Sequence, residues 1–279
     1  MKRKAYAKLN LAFEVLGRRG DGYHEVRTVL QTIELCDDLE FLEADVLETR
    51  SEGLEIHWQD NLVYKAACSL QRFSASRPGA SIHIRKGIPI SAGLGGGSAD
   101  AAATFNALND LWRLNLSPDV LHDLASELGV DIPFLLCGGT GFGFGRGDLT
   151  TFLPRLCEKW LVIVVPPHNH SAKTEALYSV LRERHWSDGS TVDALVKQVT
   201  LREPIAEELM VNTFEQVAEL AYPGFSDYRD RLARAVPGRP HLSGSGPALY
   251  AFADDQESGS YACATLRSQG LVAFLVRTI

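Results

Sequence analysis

The chain has 279 residues, 45% of them hydrophobic, so it can bury a substantial core, and its length suits one large domain or two ordinary ones. Its 28 basic residues against 35 acidic ones leave a formal charge of -7, which argues against a sequence-tolerant nucleic-acid binder, because neutralising phosphates needs clustered Lys and Arg. Five cysteines without C-x-x-C spacing, an odd number, predict reduced thiols in the cytoplasm and neither a zinc knuckle nor a full disulfide framework.

The first four residues are basic like the start of a signal peptide, but Lys8, Asn10 and Glu14 interrupt the apolar stretch that would have to follow. Residues 5–16 alternate instead. Ala5, Ala7, Leu9, Leu11, Phe13 and Val15 fall on one face and Tyr6, Lys8, Asn10 and Glu14 on the other, which predicts a strand with one polar face. A turn over 17–22 leads through Tyr23-His24 to a second strand near 26–35. A helix is predicted over 62–73 and a strand over 81–85, and Ala101, Phe105, Leu108 and Trp112 recur at helical spacing from a start at about Ser98. The next helix is well punctuated: Ser117 caps it, Pro118 opens it, Leu121, Leu124, Ala125 and Leu128 form its stripe, and Gly129 stops it. Asp131 therefore lies just beyond a helix end. The glycine cluster at 138–147 reads as a tight strand pair.

Pro154 and Glu158-Lys159 precede a strand over 160–165, which sets a domain boundary near 150. That strand holds the strongest apolar run, far short of the roughly 20 residues that span a bilayer, so no membrane partner is expected. Helices at 172–184, 191–198, 204–221 and 225–235, a strand at 248–253, a helix at 256–268 and a strand at 271–277 complete an α+β architecture of two domains, 1–150 and 151–279.

The chemistry concentrates in residues 89–102, Pro-Ile-Ser-Ala-Gly-Leu-Gly-Gly-Gly-Ser-Ala-Asp-Ala-Ala, where four glycines run straight into a helix. Without Cβ atoms the backbone N–H groups approach an oxyanion closely, and the helix start adds partial positive charge. That makes a phosphate cradle, although the same glycine count also fits a flexible loop, and neither a Walker loop nor a complete G-x-G-x-x-G is present. Phosphoryl transfer needs a proton acceptor and positive charge near the reacting oxygens. Lys8 and Asp131 supply those parts, against the plainer expectations of a solvated surface lysine and a helix N-cap. Tyr23 and His24 offer rings that sandwich a planar base, or pack as ordinary aromatics. The stretch Leu242-Ser-Gly-Ser-Gly-Pro-Ala-Leu249 brings flexible backbone to a ligand, or makes a turn.

Taken in order, Ala7-Lys-Leu-Asn-Leu11, Asp21-Gly-Tyr-His24, residues 89–102, Gly129-Val-Asp-Ile-Pro133 and Leu242-Ser-Gly-Ser-Gly246 resemble the motifs of the 4-diphosphocytidyl-2-C-methyl-D-erythritol kinase family. This family belongs to the GHMP superfamily with galactokinase, homoserine kinase and mevalonate kinase. The resemblance implies an N-terminal domain like that of ribosomal protein S5 and a ferredoxin-like C-terminal domain. It implies ATP-dependent phosphorylation of the 2-hydroxyl of the cytidyl substrate in the non-mevalonate isoprenoid route, with Asp131 as base and Lys8 stabilising the reacting oxygen. It also places Gly93, Leu94, Gly95, Gly96, Gly97 and Ser98 on the ATP phosphates and Asn61, Lys86, Pro89 and Ile90 around the nucleotide. Asn10, Tyr23 and His24 are implied at the cytidyl end, with Thr174 and Tyr178 lining the substrate from the second domain.

Ala99 stands where many relatives have a second serine, leaving Ser98 as the one hydroxyl there for phosphate or Mg²⁺. No glutamate matches the metal ligand of some superfamily members, so Mg²⁺ would be held largely by ATP and water. A homoserine or mevalonate kinase is the nearest alternative, disfavoured because neither of those substrates has a base for Tyr23 and His24. A non-catalytic nucleotide- or RNA-binding module is more remote, given the acidic charge and the Lys8 and Asp131 pair.

Overall fold

The computed structural model describes residues 1–52, 57, 60–74, 77–167 and 173–279. The first strand, β1 (Lys2–Arg18), pairs with β2 (His24–Ala44), and Arg19 N–H donates to Tyr23 O across the intervening turn at 2.8 Å. β2 runs well past the expected stop near residue 35. The Asp37 carboxylate on this extension is fully buried and accepts the backbone N–H groups of Gly87 and Ile88, so its burial is compensated within the fold.

The chain forms two compact units, neither contiguous in sequence. The first comprises Met1–Ala7, Leu35–Ile90 and Gly95–Gly138. In it β3 (Leu47–Glu52) lies parallel to β4 (Gly79–Arg85), and β4 pairs antiparallel with the distal half of β2, with Asp38 opposite Arg85 and Ala44 opposite Gly79. A parallel pair needs a long crossover, and α1 (Leu62–Gln71) lies in it. α1 packs on α2 (Gly96–Leu111), whose Ala99, Ala101, Ala102 and Ala107 are buried and small enough to admit close neighbours. α3 (Pro118–Leu128) starts and stops as its sequence predicts: Ser117 Oγ accepts Val120 N–H at 3.4 Å, and Gly129 follows its last turn. α4 (Ile132–Cys137) comes next and buries Ile132, Pro133 and Phe134. Leu39, Phe41, Leu70, Ile82, Phe105 and Phe134 are among the large fully buried side chains of this unit.

The second unit comprises Lys8–Glu34, Ser91–Leu94 and Gly139–Ile279. β5 (Thr140–Gly145) pairs antiparallel with the proximal half of β2 and with β6 (Leu149–Leu153). The glycine cluster thus supplies one strand and its turn, and the partner strand comes after it. Gly143 has a local reason: a Cβ there would stand 2.9 Å from the Thr28 methyl on β2. A second sheet contains β7 (Trp160–Val165), β8 (His241–Leu242), β9 (Leu249–Ala253) and β10 (Val272–Arg277) in the order β10-β7-β9-β8, all antiparallel. Numbered within the sheet this is 4-1-3-2, the ferredoxin-like order.

α8 (Phe225–Ala235) and α9 (Gln256–Ser268) pack on this sheet over a core that includes Val162, Val164, Leu232, Leu249, Ala251 and Leu266. α5 (Lys173–Val180), α6 (Ser190–Leu201) and α7 (Ala218–Ala221) lie in the long connection after β7. The helix expected over 172–184 ends at Val180, and residue 172 lies outside the described residues. The helix expected over 204–221 is broken into 3-10 turns at Glu207–Leu209 and Thr213–Gln216 before α7. Asn212 explains the break: its side chain caps Phe214 N–H and donates to Leu242 O at 2.8 Å and Gly244 O at 2.9 Å, tying the segment to the Ser-Gly-Ser-Gly loop. Among the described residues, no helix is long and apolar enough to cross a membrane.

Candidate active site

Gly95, in the left-handed region at φ 71°, caps α2 with no side-chain hydrogen bond, and the helix opens at Gly96, two residues before the expected start. The first helical bond is Ala99 N–H to Gly95 O, so the N–H groups of Gly96, Gly97 and Ser98 precede the ladder and present the helix's positive end. Residues 91–94 are fastened differently. Lys8 N–H donates to Leu94 O at 3.0 Å, Ala248 N–H to Ala92 O at 2.9 Å, and Ser243 Oγ to Gly93 O at 3.0 Å. Gly93 is required where it stands, because a Cβ would lie 2.4 Å from Ser243 O. The glycine stretch is therefore a held backbone structure and not a loose loop. Leu94 is buried, and Pro89, Ile90 and Ser98 are half-buried.

Lys8 departs most from expectation. The polar face of β1 is not solvated: Lys8 and Asn10 are each 4% exposed, and Glu14 is buried too. Lys8 Nζ donates to Asn10 Oδ1 at 2.7 Å, and the Ser-Gly-Ser-Gly loop closes over the pair so tightly that a Cβ on Gly244 would sit 2.7 Å from Asn10 Oδ1 and 3.5 Å from Lys8 Nζ. The Asn10 carboxamide oxygen thus meets one of the donors of a buried ammonium. Asp131, in the first unit, is half-buried and occupies the N-cap position of α4 without a side-chain capping bond.

The aromatic residues separate. Tyr23 is 54% exposed with the Arg146 guanidinium 5.1 Å from its ring centre, whereas His24 stacks on Tyr178 at 4.5 Å and 19°. Tyr178 is edge-on to Phe214, which stacks on Phe13, so His24 ends a ring series anchored in the core. Burial, then the neighbouring Arg18 charge, holds the His24 pKa down, which favours the uncharged ring. Thr174 shares a hydrogen bond with Ser245 at 2.9 Å, which links α5 to the Ser-Gly-Ser-Gly loop. Asn61 caps α1 through Val63 N–H at 2.9 Å, which commits its side-chain oxygen.

Residues 61–139 match the family described as GHMP kinases N terminal domain. Over 99% of this chain and 97% of the relative, the sequence is 35% identical to a 4-diphosphocytidyl-2-C-methyl-D-erythritol kinase of Dehalococcoides mccartyi. It is 37% identical to one of Pelotomaculum thermopropionicum over 98% of this chain and 96% of that one. The chain belongs to the 4-diphosphocytidyl-2-C-methyl-D-erythritol kinase family. A crystal structure of a 4-(cytidine 5'-diphospho)-2C-methyl-D-erythritol kinase superposes with a TM-score of 0.85 at 30% identity, covering 100% of this chain and 99% of that one. A homoserine kinase from Cytophaga hutchinsonii, 17% identical with a TM-score of 0.76 and covering 100% of this chain and 94% of that one, has the same fold. The family and the two-domain α+β kinase fold implied by the five motifs are the ones found.

This member of the 4-diphosphocytidyl-2-C-methyl-D-erythritol kinase family carries a buried ion cluster beside the glycine stretch that its sequence does not announce. Lys86 Nζ donates to Asp100 Oδ2 at 2.7 Å and to Asp37 Oδ2, and lies 3.5 Å from where a Cβ on Gly96 would stand. Asp100 lies inside the motif at 89–102 without a role read for it there, and nothing in the sequence marks Asp37. Burial opposes the Lys86 charge, but Asp100 and Asp37 outweigh it and raise the Lys86 pKa. Burial first, then the adjacent Asp37, against the pull of Lys86, pushes Asp100 from its ordinary 3.8 up to about 8. A folded state that binds this proton more tightly than the unfolded chain is stabilised by it in full below the ordinary 3.8 and loses that stabilisation progressively as pH rises to about 8. The melting temperature is therefore expected to fall between about pH 4 and about pH 8 and to level off above, and Asp100→Asn, which mimics the protonated acid, should flatten that fall. An unchanged slope in the variant would exclude Asp100 as the cause.

Proposed function

We propose that the chain transfers the γ-phosphoryl group of ATP to the 2-hydroxyl of 4-diphosphocytidyl-2-C-methyl-D-erythritol, giving ADP and the 2-phosphate, in the cytoplasm and within the non-mevalonate isoprenoid route. The observation that carries the reading is the buried Lys8 ammonium, held by Asn10 under Gly244 on the strand whose own backbone fastens Leu94 of the glycine stretch. On this reading the unbonded N–H groups of Gly96, Gly97 and Ser98 receive phosphate oxygens, Lys8 offsets negative charge at the reacting oxygen, and Asp131 takes the proton of the 2-hydroxyl. Lys86, Asn61, Pro89 and Ile90 lie toward the nucleotide. The family domains are assigned to 1–150 and 151–279.

Mg²⁺ belongs to the reading as a passenger of ATP. Among the described residues no three His, Cys, Asp or Glu side chains gather as ligands, Ser98 offers one neutral hydroxyl, and Asp100 is engaged with Lys86, so these donors do not make a metal site by themselves.

The deciding experiment is ADP release measured on cytidyl-erythritol, homoserine and mevalonate substrates; turnover confined to the first supports the reading, and equal turnover on all three overturns the substrate assignment. His24 and Tyr23 bear on the same point. His24→Ala is expected to raise KM for the cytidyl substrate by the equivalent of roughly 1–3 kcal/mol of base stacking. KM for ATP and kcat at saturation should change little, because that contact would be made equally in ground and transition states. An unchanged cytidyl KM would remove His24 from the substrate site.

A further inference from the structure

We propose that Thr28 is a positioning residue for Lys8, acting through the orientation of the Asn10 carboxamide; the inference rests on the role given above to Lys8. A lysine ammonium only donates hydrogen bonds, whereas a carboxamide has an accepting end and a donating end of nearly equal size. Asn10 serves Lys8 only when Oδ1, and not the NH₂ group, is turned toward it, as it is at 2.7 Å.

What decides the orientation lies at the other end of the amide. Asn10 Nδ2 donates to Thr28 Oγ1 at 2.7 Å, and Thr28 Oγ1 donates to Ala12 O at 2.7 Å. A hydroxyl has one proton. Because the Thr28 proton is committed to Ala12 O, its oxygen is left to accept, and only the NH₂ end of Asn10 satisfies it. Donation therefore runs in one fixed sense: Thr28 to Ala12, Asn10 to Thr28, and Lys8 to Asn10. Thr28 is 2% exposed, and Lys8 and Asn10 are each 4% exposed, so water does not readily replace a missing member.

The surroundings hold the chain in register. Tyr250 O–H donates to Asn10 O at 3.0 Å, Gly244 covers Oδ1, and the Thr28 methyl rests against Gly143, where a Cβ would approach to 2.9 Å. β5 is thus kept bare at the point where the Thr28 side chain must fit. Sequence reading gave Thr28 no role, because a threonine in a strand is the ordinary residue there.

Thr28→Val keeps the side-chain shape and removes the hydroxyl, taking from the Asn10 NH₂ group its acceptor and from Ala12 O the threonine proton. Expected is a loss of kcat of roughly 10- to 100-fold, in line with an orphaned buried donor in front of the cation, with KM for ATP nearly unchanged. Thr28→Ser, which keeps the proton and the acceptor but loses the methyl, should restore kcat to near the parent while melting lower. The test measures kcat, both KM values and melting temperature for these variants beside Lys8→Ala. If Lys8→Ala is inactive and Thr28→Val turns over like the parent, the positioning role is overturned. Equal losses in the Val and Ser variants overturn it as well, since they would report packing. Should Thr28→Val not accumulate as folded protein, the Ser variant decides alone: parent-like kcat supports the proposal and a Lys8→Ala-like loss overturns it. Substantial turnover by Lys8→Ala would instead sink the catalytic reading of Lys8 itself.

Discussion

Asp131→Asn is expected to lower turnover by roughly 10²- to 10⁴-fold, the range of a positioned proton acceptor, while ATP affinity stays nearly unchanged. The carboxylate lies at the head of α4 without capping it, so asparagine, which matches it in size and is itself a good cap residue, should leave the helix intact. The loss would then be chemical and not structural. Single-turnover measurements at saturating ATP and cytidyl substrate, with circular dichroism as the check on folding, read it directly. Turnover close to the parent would remove Asp131 from the mechanism and leave Lys8 as the one charged group argued to act on the reacting oxygens.

Gly93→Ala should damage the protein more broadly. At φ 84° an L side chain costs roughly 1–2 kcal/mol before any contact is counted. The added Cβ would also stand 2.4 Å from Ser243 O and 2.8 Å from Gly246 N, backbone atoms that cannot swing aside. Moving them disturbs the bonds that hold residues 92–94 to β1 and to the Ser-Gly-Ser-Gly loop. The melting temperature should drop by at least roughly 2–4 °C for each kcal/mol lost, and activity should fall with it. Gly97→Ala is the control: its Cβ would meet only Leu62 Cδ1, at 3.7 Å, so its melting temperature should match the parent. Equal melting of parent and Gly93→Ala would refute this account of the loop.

The helices and strands with strong local punctuation were legible in the sequence. Ser117, Pro118 and Gly129 bracket α3, and α8 and α9 span the residues expected of them. What escaped was set by distant partners. β2 continues through Asp37 because amides near residue 87 meet its carboxylate, and the helix expected over 204–221 breaks because Asn212 is drawn to Leu242 O and Gly244 O. The site divides in the same way. The glycine stretch and the motif residues Lys8 and Asp131 stood out by type and spacing. Burial of Lys8 did not, since alternation along β1 separates two faces but cannot tell that both are covered. Thr28, Asp37 and Asp100 acquire meaning only from hydrogen bonds that no periodicity encodes.

The approach of Gly244 to Asn10 also bears on how this protein tolerates recombination with its relatives. Because a Cβ at 244 would stand 2.7 Å from Asn10 Oδ1, the residue allowed in the loop is decided by a side chain on the first strand, and the reverse holds as well. A chimera that takes its amino-terminal strand from one parent and its carboxy-terminal third from another inherits the two halves of a single fitted joint. Crossovers between relatives that keep both Asn and Gly at these places should be silent there, whereas a parent that has changed one would have to donate both segments together. The length of chain between them is, for this purpose, irrelevant.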